Sequence, residues 1–122
     1  MPTVVEHPML RLVYKLCEYW ESQNIDQALL LKHMGHNERT LMALMLAARV
    51  KLRAAAKDPN VEEQNLKVAC QDLYCAAFAF HFHHGNPALS EDERRRIARV
   101  TAISEVFEWE KMCNHIGKKV LH

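Results

Sequence analysis

The chain has 122 residues with a net charge of +1, 49% apolar and 25% charged residues. Such a composition excludes an intrinsically disordered chain, and the near-zero net charge gives the molecule as a whole no strong pull on nucleic acid or anionic lipid. Three Gly and four Pro are too few for the turns of an all-β domain. The length fits a single domain over residues 1–122, and a domain of that size buries roughly 65–70% of its unfolded surface. The expected fold is all-α: a compact five-helix bundle with short loops.

The first helix is expected over about residues 8–22. Pro8 suits the first turn, where its missing N–H has no intrahelical partner. Met9, Leu12, Val13, Leu16, Cys17 and Trp20 recur at helical spacing on one face. The second helix, about 25–34, has Asn24 as its cap and Gly35 as a left-handed terminator.

The third helix, about 38–57, is capped by Asn37. From Leu41 to Ala56, 13 of 16 residues are Leu, Met, Ala or Val. A surface helix is apolar over about a third of its circumference. This excess predicts that the third helix is the central, buried element, with its second half, bearing Arg49, Lys51, Arg53 and Lys57, emerging into solvent. Leu44→Asp would then cost several kcal/mol.

The fourth helix is expected over about 59–84, opened by Asp58 as cap and Pro59 in the first turn. Leu66, Ala69, Cys70, Leu73, Ala77 and Phe80 form its stripe. Ser90-Glu91-Asp92-Glu93 is a capping box that starts the fifth helix, about 91–116. Ile97, Val100, Ile103, Val106, Phe107 and Cys113 are its apolar positions, and Gly117 its terminator. Short loops favour antiparallel packing of successive helices.

The first residues, Met-Pro-Thr-Val-Val-Glu-His-Pro, have neither a basic region nor an apolar stretch, so no secretory signal is expected. No run approaches ~18 apolar residues, so no membrane span is expected either. An intracellular protein, cytoplasmic or nuclear, is the default reading. Cys17, Cys70, Cys75 and Cys113 include no CxxC pair and lie in helical patterns, as reduced core thiols do.

The residues offer three kinds of candidate site. Three of the eight His, His81, His83 and His84, stand at one helix end; His81 and His84 are three apart and share a face that a metal ion can use. No Glu has a His three residues later, so the di-iron bundle pattern is missing. No cofactor is expected, and a metal only as the weakest of the readings, with Cys113 or His115 as further donors. Imidazoles near a helix C-terminus also simply complement the dipole.

Two basic groups can meet phosphate: Arg49, Arg53 and Lys57, and Arg94, Arg95, Arg96 and Arg99. Residues 27–46 compare with a helix-turn-helix, but after Asn37–Thr40 its second helix is Leu, Met and Ala on every side, where a recognition helix needs polar groups.

The third feature is a surplus of apolar surface. Met42 and Leu46 in the third helix, and Phe78 and Phe82 in the fourth, are more than five helices readily bury, and six Met add adaptable surface. The leading expectation is a non-catalytic helical interaction protein (an adaptor, assembly subunit or inhibitor) that docks on another protein or its own copy. Nucleic-acid binding and His-cluster metal binding are the alternatives.

Overall fold

Asn37 starts the third helix. Its backbone is extended, and its side-chain oxygen accepts the Thr40 N–H at 2.8 Å, satisfying one of the donors a helix N-terminus leaves unpaired. Ser90 does the same for the fifth helix, accepting the Glu93 N–H at 3.2 Å. The computed structural model describes residues 7–22 and 27–120, and of these the side chains other than 27, 29, 110 and 112–120. Its elements are α1 (Leu10–Glu21), α2 (Gln27–Met34), α3 (Glu38–Lys57), α4 (Glu63–His83) and α5 (Glu91–Val120). No strand occurs among the described residues. No helix is long and apolar enough to cross a membrane among the described residues.

The central element is α4, not α3. All seven residues from Leu73 to Ala79 are buried, and α4 packs against α1, α2, α3 and α5. A helix surrounded in this way needs apolar side chains all round, and Leu-Tyr-Cys-Ala-Ala-Phe-Ala supplies them. Its Ala and Cys positions let neighbours approach closely. Helix α3 instead buries one stripe along its whole length, Leu41, Met45, Ala48, Leu52, Ala55 and Ala56. Its second half therefore does not leave the core, contrary to the sequence expectation.

Side-chain pairs give the helix directions. Arg49 pairs with Glu105 and Leu52 with Trp109, in the same order, so α3 and α5 run parallel. Trp20 stacks on Tyr74 at 4.2 Å from α1 to α4. Tyr14 lies 5.9 Å from Phe107, and Glu21 shares a groove with Arg99 and Val100, so α1 runs against α5.

Four local expectations need correction. Asp58-Pro59 does not open α4: Asp58 is the C-cap of α3, its side chain accepts the Asn60 N–H at 2.9 Å in a turn, and α4 begins after Glu62. Gly35 is not left-handed, and a Cβ there would meet nothing within 4 Å. Helix α5 runs through Gly117 to Val120. Ile97 and Val100 are exposed, at 45% and 57%, and the row facing the core is Ala98, Ala102, Ile103, Val106 and Trp109. The Asn24 cap lies outside the described residues.

His7 ties the segment before α1 to the end of α3. Its Nδ1 accepts the Met9 N–H at 3.1 Å. Nε2 is therefore the protonated nitrogen and donates to the carbonyls of Ala55 and Asp58 at 2.9 and 3.0 Å, which also accept the backbone N–H groups of Asp58 and Val61. The same ring stands edge-on to Trp109, centroids 4.8 Å apart.

Candidate interaction face

Helix α3 carries two apolar stripes on opposite sides. Opposite its core stripe, Met42, Leu46 and Val50 recur every four residues and are 39%, 54% and 68% exposed. Ala43, Ala47 and Ala54 are exposed beside them. Residues four apart lie one above another on a helix, so the three large side chains form a continuous row and the alanines a flat margin. Sequence reading picked out Met42 and Leu46 but missed Val50; the spacing of four, out of phase with the inner stripe, was the available signal.

A groove lies beyond the C-terminal end of the row. Between the C-terminal half of α3 and the start of α4 lies a depression of about 400 Å³, lined by residues that include Lys51, Ala54, Val61, Asn65 and Val68. Val68 is itself 39% exposed. Ala54, on the margin of the row, also lines the groove.

Phe78 and Phe82 do not join this face. Phe78 is buried, so its assignment to an interaction surface was wrong: it packs 6.1 Å from Tyr74 and 5.9 Å from Phe82. Phe82 is half-buried against the core, with the guanidinium of Arg94 5.3 Å and that of Arg95 5.9 Å from its ring centroid. These cation–π contacts use the aromatic surplus internally.

The basic groups divide. Arg49 donates through Nε and Nη2 to Glu105, at 3.0 and 2.8 Å, and Arg95 pairs with Glu91 at 3.1 Å. Arg94 and Arg99 are half-buried and Arg96 is exposed. Arg53 and Lys57 are exposed and, with Arg39 and Lys51, make no ion pair among the described residues.

His81 and His84 both lie against Phe80, at 5.2 and 5.5 Å between ring centroids. Among the described residues no three His, Cys, Asp or Glu side chains gather as a metal-binding group. Cys113 and His115, named as further donors, have side chains outside the described residues. Burial holds the His81 imidazole below its ordinary value, against the pull of Glu105. His33, on the α4-facing side of α2, is buried with neither ring nitrogen bonded among the described residues, and desolvation lowers its pKa despite nearby Asp72. Sequence reading gave His33 no part in the core.

Cys17, Cys70 and Cys75 are buried, and none is in a disulfide among the described residues. Burial pushes the Cys17 and Cys70 thiols up to about 12, with Glu21 adding to the rise at Cys17. A thiol so shifted is neutral and unreactive at physiological pH.

Comparisons of the chain with protein-family models, with curated proteins and with solved structures find no match.

Proposed function

We propose that the chain is a helical docking module that presents the outer face of α3 to another protein and works by binding rather than by catalysis. The supporting observation is the row Met42, Leu46 and Val50, exposed on a helix whose opposite side is sealed in the core. Scattered exposed apolar residues are ordinary, but a continuous row with an adjoining groove is what partner surfaces look like. The neutral, buried thiols Cys17 and Cys70 fit a role without nucleophilic chemistry. Internal contacts of Arg49 with Glu105, and of Arg94 and Arg95 with Phe82, engage three of the seven cations of the two expected basic faces, which weakens the nucleic-acid reading.

A photo-crosslinking amino acid at position 46 in living cells tests this, with position 15 on exposed Lys15 of α1 as control. The reading requires a discrete covalent adduct from position 46 and none from position 15. Equal trapping at both positions, or none at either, refutes it.

A further inference from the structure

Between Arg39 and Lys57 there is no acidic residue and there are five cations. One of them, Arg49, is neutralised by Glu105. The other four, Arg39, Lys51, Arg53 and Lys57, are exposed and make no ion pair among the described residues. They frame the apolar row: Arg39 stands three residues before Met42, Arg53 three after Val50, Lys57 a further turn on, and Lys51 at the edge of the α3–α4 groove. We infer that the occupant of the α3 face is an amphipathic helix of another protein, with apolar residues along its centre and carboxylates along its margins. This rests on the docking reading above and goes further by naming the partner's chemistry.

Shape favours a helix. The row from Met42 to Val50 rises about 12 Å, a little over two turns. The exposed Ala43, Ala47 and Ala54 leave room for a second helix backbone to come close. At its far end the groove beside Val61 and Val68 lengthens the track.

Charge argues against a second copy. Antiparallel self-pairing centred on Leu46 sets Arg39 level with Arg53 of the copy, twice per dimer, because residue numbers at one level then sum to 92. Parallel pairing stacks every cation at the level of its own counterpart. Like charges so placed are repelled, whereas Glu or Asp on a different chain is attracted at both ends of the row. Nucleic acid matches the cations but would cover the apolar row with a polar backbone, gaining nothing from it. A lipid surface takes helices with Trp, Phe or Leu across a wide apolar side, and this row has one Leu and no aromatic residue.

The test is a display library of helical peptides about five turns long, with Leu and Ala fixed along one stripe and Glu, Gln or Lys randomised at its margins. It is selected on the full chain, and the winners are measured by fluorescence anisotropy. The inference expects winners rich in Glu whose affinity falls with salt. Leu46→Asp should weaken them by at least about tenfold, and the double variant Arg53→Glu with Lys57→Glu should shift the selection from Glu to Lys. Circular dichroism confirms that each variant is folded. Winners that need Leu46 but are rich in Gln or Lys overturn the acidic helix and leave the docking face standing. Self-association of the chain that Leu46→Asp abolishes has the same consequence. If no winner depends on Leu46, both readings fall. A single-stranded RNA oligomer or phosphatidylserine vesicles that bind through Arg53 and Lys57, with Leu46→Asp without effect, overturn both as well.

Discussion

The indole N–H of Trp109 donates to the main-chain carbonyl of Leu52 at 2.8 Å, deep between α5 and α3. Both residues are almost completely buried. A polar group so far from water is stable only with its partner, so the bond fixes the register in which α5 lies along α3. That register also brings Arg49 to Glu105, and so takes one cation away from the outer face of α3.

Trp109→Phe keeps a ring in the core but leaves the Leu52 carbonyl without this donor. Urea denaturation should show a loss of roughly 1–3 kcal/mol, with the far-UV dichroism of the folded state unchanged. A loss well under that range would mean that the bond contributes nothing beyond packing.

Helix α3 should be sharply two-faced in its response to charge. Leu52 is 1% exposed and Leu46 54%. Leu52→Asp should cost upwards of about 4 kcal/mol or prevent folding, and Leu46→Asp should stay within about 0.5 kcal/mol. Leu44, chosen from the sequence as the residue to probe, is only partly buried and should fall between the two. Equal costs at 46 and 52 would mean the two stripes are not as described.

Gly85 follows the end of α4, where a Cβ would sit 2.5 Å from the His81 carbonyl oxygen. Neither backbone group can step aside without breaking the turn. Gly85→Ala should destabilise the fold by roughly 1–3 kcal/mol, measured by thermal or urea unfolding. Gly35→Ala, with open space around it, should be nearly silent.

Acid should loosen the bundle. His33 and His81 both have pKa values lowered from 6.5 by burial, so the unfolded chain takes up protons in a range where the folded chain resists them. Their contribution to stability is therefore full above about pH 6.5 and declines as pH falls below it. At His33 the surrounding charges are Asp72, which favours the proton, and His36 and Lys32, which oppose it. Urea midpoints should fall between about pH 7.5 and pH 5.5, and His33→Leu should flatten the slope. A midpoint independent of pH, or one that rises in acid, would contradict the burial of these imidazoles.

Much of the architecture was legible because it rests on local chemistry. Asn37 and Ser90 cap where their side chains can accept an amide, and Val13, Leu16, Cys17 and Trp20 lie on the buried side of α1. What local chemistry cannot say is which apolar side of a helix meets a neighbour. Helix α3 has two such sides, and only the position of α4 and α5 decides between them. In α5 the larger residues Ile97 and Val100 drew the reading outward, while Ala98 and Ala102 turn inward because small side chains allow close packing. Asp58-Pro59 served equally well as the start of one helix or the turn after another. Of the side chains expected on an interaction surface, the exposure of Met42 and Leu46 was legible and the burial of Phe78 was not. Its burial depends on Tyr74 beside it and on α4 being central, and neither can be read from spacing.

The central claim, that the outer face of α3 is covered by a partner in the cell, is tested most directly by hydroxyl-radical footprinting of two methionines. Met42 is 39% exposed on the outer row and Met45 3% on the core side, so Met45 is an internal control for folding. In the purified chain Met42 should oxidise readily and Met45 hardly at all. Inside cells the account predicts that Met42 becomes protected while Met45 stays as it was; Met42 oxidised as fast in the cell as in isolation would contradict it.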